Sequence, residues 1–355
     1  MNELPHLTNE AREEAFLPDV ERIIRIRTER YIHYALAGMA LARMNELLEY
    51  PQRDRMPCLL LYGTTGMGKT KILRKFLRDH PATFDKRVGI TTAHVVSMQM
   101  PPDPDEKDFY EGLLNTLQAP SRYITNTAHL RRVSLDLLCF VGARMLIIDE
   151  VHAVLAGSYR QQRVLLNVLR FLATDLCVPL ICAGTADAKR ALTTDQQLAD
   201  RFEAIELPRW RNDEAFRRLL GSFHAILPLR QCSDLTSAVM RRALLEHTEG
   251  VTVRLVRLIE ALAVDAIRSG AEKIDQSSLS KLSSPLLLSM TEHVAATAWP
   301  PGRLSSAGGR GTQLLAGAHR ERLQARPGRP LVRVPRLDRN TCRNDRRVPR
   351  AESIC

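Results

Sequence analysis

The chain has 355 residues, 45% of them hydrophobic and 26% charged, with a net charge of +11. It is long enough to bury a large core in two domains, and no stretch approaches the roughly eighteen apolar residues of a membrane-spanning helix. The charge does not mark a nucleic-acid-binding body: thirteen arginines, no lysine and four acids from Pro301 onward hold +9 of it and leave +2 for residues 1–300.

The N-terminal residues carry acids and no apolar core of an export signal, and the seven cysteines show no C-x-x-C pair. They read as reduced core residues of a cytoplasmic protein, not as a disulfide frame or a zinc site. Residues 8–50 read as helical, with Ile23, Ile24, Ile26, Leu36, Leu41, Leu47 and Leu48 spaced among charges. Pro51 and Pro57 then punctuate the approach to a first apolar strand, Cys58 to Leu61.

That strand leads into Gly63-Thr64-Thr65-Gly66-Met67-Gly68-Lys69-Thr70, a complete G-x-x-x-x-G-K-T loop. Glycines let backbone N–H groups turn inward around phosphates, and a following helix N-terminus adds partial positive charge. Lys69 can reach the β- and γ-phosphates, and Thr70 offers a hydroxyl to Mg²⁺. The next helix shows one apolar face, Ile72, Leu73, Phe76 and Leu77, and Pro81 bars its continuation. The chain therefore binds a nucleotide, with ATP and Mg²⁺ the expected ligands.

One further strand is expected over Val88–Val96, followed by a Pro/Asp segment and two helical stretches. Arg144 to Glu150 is an apolar run ending in two acids, the pattern of a buried parallel strand. Asp149 at its end can share the Mg²⁺ shell with Thr70. Glu150, one residue on, can polarise a water for attack on the γ-phosphate. His152 completes a D-E-x-H box found in one helicase class, but no second α/β pattern follows in residues 213–355, so it reads as a polar loop residue near the γ-phosphate.

Val178 to Gly184 is another buried strand and Ala204–Leu207 a shorter one. Thr185, just past the first of these, can contact the γ-phosphate or close a simple turn. Arg201, just before the second, can reach a neighbouring subunit's γ-phosphate, with Arg190 as the alternative. Strands alternating with helices argue for an α/β fold with a parallel sheet flanked on both faces. From Asn212 only helical patterns remain, with Gly250 and Gly270 as stops. In this all-helical lid Arg254 can contact nucleotide, and Arg257 one turn later competes for the role. Beyond about Leu288 the composition turns to Arg, Pro, Gly and Ser without periodicity, which argues for disorder. The expected organisation is an N-terminal helical segment over 1–50, a nucleotide-binding core over 51–211, a lid over 212–288 and a tail over 289–355.

The assembly resembles the AAA+ ATPases, and within them the TniB family of transposition proteins, relatives of TnsC and more distantly of MuB. The likeness covers roughly residues 8–285. It rests on Arg55 to Gly63 with the phosphate loop, Leu146 to His152 and Pro179 to Thr185, and on the more particular Leu207-Pro208-Arg209-Trp210 and Leu227-Pro228-Leu229-Arg230 boxes. The resemblance implies an ATPase that forms homo-oligomers on double-stranded target DNA and recruits or activates a DDE transposase in the bacterial cytoplasm, with no membrane partner. The competing expectation is a nucleotide-dependent protein–protein switch without DNA contact. Residues from Pro301 to Cys355 lie outside the family's pattern. Arginine-rich, lysine-free and rich in Pro and Gly, they read as a GC-rich gene translated in a shifted frame, or else as a basic DNA-binding arm.

Overall fold

The computed structural model describes residues 4–281, except 88, 104, 122 and 123. The Arg-rich tail, with its two readings, lies outside the described residues. Three helices open the chain: α1 (Asn9–Glu14), α2 (Asp19–Arg27) and α3 (Ala35–Glu49). The α/β core follows as β1 (Cys58–Gly63), α4 (Lys69–Asp79), the hairpin β2 (Thr83–Asp85) and β3 (Ile90–Thr92), β4 (Val95–Gln99), α5 (Glu106–Thr116) and α6 (Thr127–Phe140). It continues as β5 (Met145–Asp149), a 3₁₀ turn over Val151–Ala156, α7 (Tyr159–Asp175), β6 (Leu180–Gly184), α8 (Ala186–Thr193), α9 (Gln196–Ala199) and β7 (Phe202–Leu207). The remainder is helical: α10 (Glu214–Ile226), α11 (Ala238–Thr248), α12 (Thr252–Arg268) and α13 (Gln276–Lys281).

Helix starts follow local chemistry. Asp105, Asn126, Asp213 and Ser237 cap α5, α6, α10 and α11 with side-chain oxygens, and Ser158 with Gln161 forms a capping box on α7. The expected α/β architecture is present as a five-stranded, all-parallel sheet in the order β4-β5-β6-β1-β7. Alternate residues of β1 feed opposite layers. Leu60 packs toward α5, α6 and α7, whereas Leu59 and Leu61 pack toward α3 and α4. The strand order reverses around β1, and crevices at the carboxyl ends of strands at such a switch point are where ligands enter.

The expected Val88–Val96 strand is two different objects. Gly89 adopts φ 73°, Asp85 accepts from the Arg87 amide, and the chain turns back as the exposed hairpin β2–β3. After Ala93, the His94 carbonyl accepts the amides of Arg144 and Met145, which seats Val95–Gln99 beside β5 in the main sheet. The five described cysteines form no disulfide; Cys58 and Cys182 are buried in the sheet as expected, but Cys139 and Cys232 are exposed.

The expected helical segment over 1–50 is divided. Helix α3 lies against the sheet, whereas Ile26 of α2 enters the core of the helical domain formed by α10–α13. A fully buried Arg22 makes the second attachment specific. Its guanidinium donates to both Glu272 oxygens at 2.8 and 2.7 Å, to the Pro228 carbonyl at 3.2 Å and to Asp19 at 2.7 Å. A buried charge is tolerated only when its partners offset desolvation, and here four acceptor contacts do so. Arg30 adds a second clamp, gripping Glu14 at 2.7 and 2.5 Å and the Ile226 carbonyl at 3.1 Å. The stretch between α2 and α3 is thereby stretched as a strap along the helical domain.

Candidate nucleotide-binding site

Between β1 and α4 the chain makes the tight loop that its glycines predict. Gly68 leads into α4 at φ 96°, and no atom within 4 Å crowds the place of its missing Cβ. Lys69 is buried, and its ammonium donates to the loop's own carbonyls, Gly63 at 2.9 Å and Thr64 at 3.1 Å. Burial pulls this ammonium below its ordinary pKa, against the opposing pull of Glu150 and Asp149. A cation held by two neutral carbonyls and partly desolvated is suited to receive an anionic phosphate.

Across the sheet, β5 delivers Asp149 to the same place. Its Oδ2 accepts from the Thr70 hydroxyl at 2.7 Å and its Oδ1 accepts from the Glu150 amide at 2.8 Å. Thr70 and Asp149 are thus adjacent hard-oxygen donors, the type that suits Mg²⁺, and they are the residues that would hold it. Glu150 sits in left-handed backbone at φ 56°, which turns its side chain away from the strand and into the cleft lining. There it lies 3.1 Å from His152 Nδ1, without hydrogen-bond alignment.

Thr185 follows β6 at the same carboxyl edge of the sheet, and its hydroxyl oxygen is buried with no partner among the described residues. An orphaned hydroxyl beside a phosphate loop fits a ligand that completes it. Arg201 lies elsewhere. Its carbonyl accepts from the Cys58 amide at the start of β1, one strand length from the phosphate loop of the same chain. One of its guanidinium nitrogens is buried and unpartnered, whereas Arg190 is exposed and paired with Asp187.

The cleft itself encloses about 480 Å³. One wall is the run Thr65 to Ile72; the other comes from the strap (Ile26 to Ile32, and Tyr34), α10 and α12. The helical stripe Val253, Val256, Arg257 and Glu260 faces in. The two lid arginines fall differently against this stripe, and Arg254 is the one outside it. It lies about 100° of helix rotation past Val253, off that stripe, and pairs with Glu249 at 2.9 Å, whereas Arg257 lines the cleft. The strap was not legible as part of a site, because nothing in its sequence says that it folds back over residues 65–72.

A family model for the bacterial TniB protein matches residues 22–212. The chain belongs to the TniB family. No curated protein matches it at a significant level. Among solved structures, this TniB chain is similar to the ORC2 protein of Aeropyrum pernix in its ADPNP-ADP complexes, with a TM-score of 0.51 and 16% identity over 77% of this chain and 74% of that one. It is similar to Cdc6p from Pyrobaculum aerophilum, with a TM-score of 0.51 and 17% identity over 70% and 67% of the two chains. The Drosophila ORC bound to DNA gives a TM-score of 0.52 at 9% identity over 80% and 70%. At such identities the likeness shows the fold, and the fold of this TniB protein is that of the AAA+ ATPases.

Proposed function

We propose that this TniB protein binds ATP with Mg²⁺, hydrolyses it with Glu150 as the base, assembles as an ATP-bound homo-oligomer on double-stranded DNA, and recruits or activates a DDE transposase. The observation that supports it best is the 2.7 Å bond between Thr70 and Asp149, which unites the phosphate loop with the acidic strand end. In this reading residues 51–211 are the nucleotide core and 212–288 the lid. Lys69 and the amides of Gly63–Thr70 bind the phosphates, Glu150 takes a proton from the attacking water, Thr185 contacts the γ-phosphate, and Arg201 serves a neighbouring subunit.

The surface explains why assembly would matter. Six of the basic residues that could form a DNA-binding face lie near acidic partners within the chain. Lys71 and Arg74 meet Glu29, Lys75 meets Asp79, Arg131 lies 3.9 Å from Glu106, Arg132 3.8 Å from Asp136, and Arg209 3.4 Å from Glu249. A single body with a charge of +2 offers few phosphate contacts, and many copies aligned on one duplex multiply weak ones without new chemistry. The same ion pairing favours the second reading, a protein–protein switch without DNA. Double-stranded DNA binding of the full chain and of a chain ended after Leu288, each with and without ATP, separates them. The first reading expects binding by both chains only with ATP, falling steeply with salt and showing little sequence preference. ATP-independent binding that vanishes with the tail overturns it.

A further inference from the structure

The Leu207-Pro208-Arg209-Trp210 box has no part in phosphate chemistry, yet Trp210 stands where every piece of the cleft meets. It follows β7, directly before the helical domain, and its backbone amide donates to the Gly250 carbonyl at 2.9 Å. Its indole Nε1 donates to the Thr252 hydroxyl at 2.9 Å. The same hydroxyl lies 3.4 Å from the Met67 carbonyl in the phosphate loop, and the neighbouring Val253 amide donates to the Gly66 carbonyl at 2.9 Å. On its other side the indole meets Tyr34 of the strap edge-on at 5.2 Å and Phe216 of the helical domain at 6.1 Å. The fit leaves no slack. A Cβ on Gly66 would come within 2.6 Å of Val253 Cγ1, and one on Gly250, at φ 68°, within 2.4 Å of the Trp210 carbonyl oxygen.

Peptide geometry turns these contacts into a statement about phosphate binding. In a trans peptide the C=O and the next N–H point in opposite directions. Holding the Gly66 and Met67 carbonyls toward α12 therefore fixes the N–H groups of Met67 and Gly68 toward the other side, the inside of the loop. The Met67 amide shows this directly, making a long 3.3 Å bond across the loop to Thr64. A hydroxyl has one O–H to donate and lone pairs to accept with, so Thr252 can accept a hydrogen bond from the indole N–H while donating its own to the Met67 carbonyl.

We propose that Trp210 is a positioning residue for triphosphate binding, acting through the Thr252 hydroxyl on the phosphate-loop amides, so that phosphate occupancy and lid placement are one equilibrium. The proposal rests on the nucleotide-binding reading above. Thr252→Val keeps the shape and removes the hydroxyl, and should weaken ATP binding about three- to tenfold, the worth of one hydrogen bond. Thr252→Ser should restore it. Trp210→Phe keeps an aromatic ring without the donor and should weaken binding by a similar or smaller factor. Because Trp210 acts through Thr252, the double variant Trp210→Phe/Thr252→Val should bind no worse than Thr252→Val alone.

The chain holds two tryptophans, Trp210 and Trp299. In a Trp299→Phe protein, saturating ATP should shift the emission of Trp210, and Thr252→Val should abolish the shift at equal occupancy. Additive losses in the double variant, a Thr252→Ser protein as weak as Thr252→Val, or an emission shift that survives Thr252→Val overturns the relay. If the unaltered protein binds no ATP, the nucleotide reading falls and the relay with it; if it binds ATP and the losses are additive, the relay alone falls.

Discussion

The cleft has two walls built by different means. The core wall is essentially a single run, Thr65 to Ile72, whose phosphate loop works mainly through backbone and needs only glycines, one lysine and one hydroxyl at fixed spacing. The opposite wall is assembled from three stretches far apart in the chain, the strap, α10 and α12, and it works through side chains. The core wall supplies the chemistry that any nucleoside triphosphate requires. The other wall supplies placement, and it is held by the Arg22–Glu272 clamp, which lies away from the cleft lining, and by the Arg30–Glu14 clamp, whose Arg30 is part of that lining. Damage to the first should be felt as lost binding or turnover, and damage to the second as lost stability with a partial loss of affinity.

The largest effects belong to the core wall. Lys69→Ala should abolish ATP binding, read by titration with a fluorescent ATP analogue, because it removes the buried cation at the loop. Glu150→Gln should keep binding and lower hydrolysis by about 10²–10⁴-fold, the usual span for a lost general base. Normal turnover in that variant would show that Glu150 is not the base.

The division also has to hold between subunits. Arg201 is remote from its own loop, so mixing Arg201→Ala with Glu150→Gln protein should recover part of the hydrolysis at interfaces where both groups survive. No recovery at any ratio, with co-assembly shown by cross-linking, counts against Arg201 and turns attention to Arg190.

On the opposite wall, Arg22→Met should leave buried Glu272 with only the more exposed Arg230, 3.6 Å away, as counter-ion and lower stability by about 3 kcal/mol, read as a fall in the urea midpoint. The pH dependence gives a finer test. Burial raises the Glu272 carboxyl, but hydrogen bonds from Arg22 and the Arg230 amide outweigh it and hold the group below its ordinary 4.5 in the folded protein. A depressed folded value means that the contribution is complete above pH 4.5 and lost as pH falls below it. Stability should therefore decline on acidification through that range, and the decline should be shallower in Arg22→Met. Equal slopes would mean that the pair does not carry this dependence.

The smallest effect marks the seam between the walls. Lys71 on α4 pairs with Glu29 of the strap, but both side chains are about half exposed. Lys71→Ala should change stability by less than about 1 kcal/mol, with ATP affinity nearly unchanged. A larger loss of affinity would move this pair from the surface into the gating of the cleft.

The same contrast explains what could be read from sequence. The phosphate loop, Asp149 and Glu150 are legible because their chemistry depends on neighbours in the chain, and β1, β5 and β6 because strands buried on both faces become continuous apolar runs. The strap is silent because Tyr31 and Ile32 show no periodicity, and its path is fixed by Arg30 and Arg22, whose partners Ile226 and Glu272 lie 196 and 250 residues further along the chain. Arg254 and Arg257 could not be separated because helical phase is informative only once the facing surface is known. The hairpin misled for a related reason: Ile90–Thr92 and Val95–Gln99 have similar β-forming composition, and only the two amides taken by His94 decide which joins the sheet.

The clasp between α2 and the helical domain also bears on how the molecule comes into being. Arg22 leaves the ribosome 250 residues before Glu272. The sheet and its covering helices are complete by Leu207, and domains tend to fold as units while synthesis continues. The first helices made must therefore wait, without their buried counter-ion, until nearly all of the described chain has emerged. The outer wall of the cleft is thus finished last, long after the phosphate loop it faces has been made.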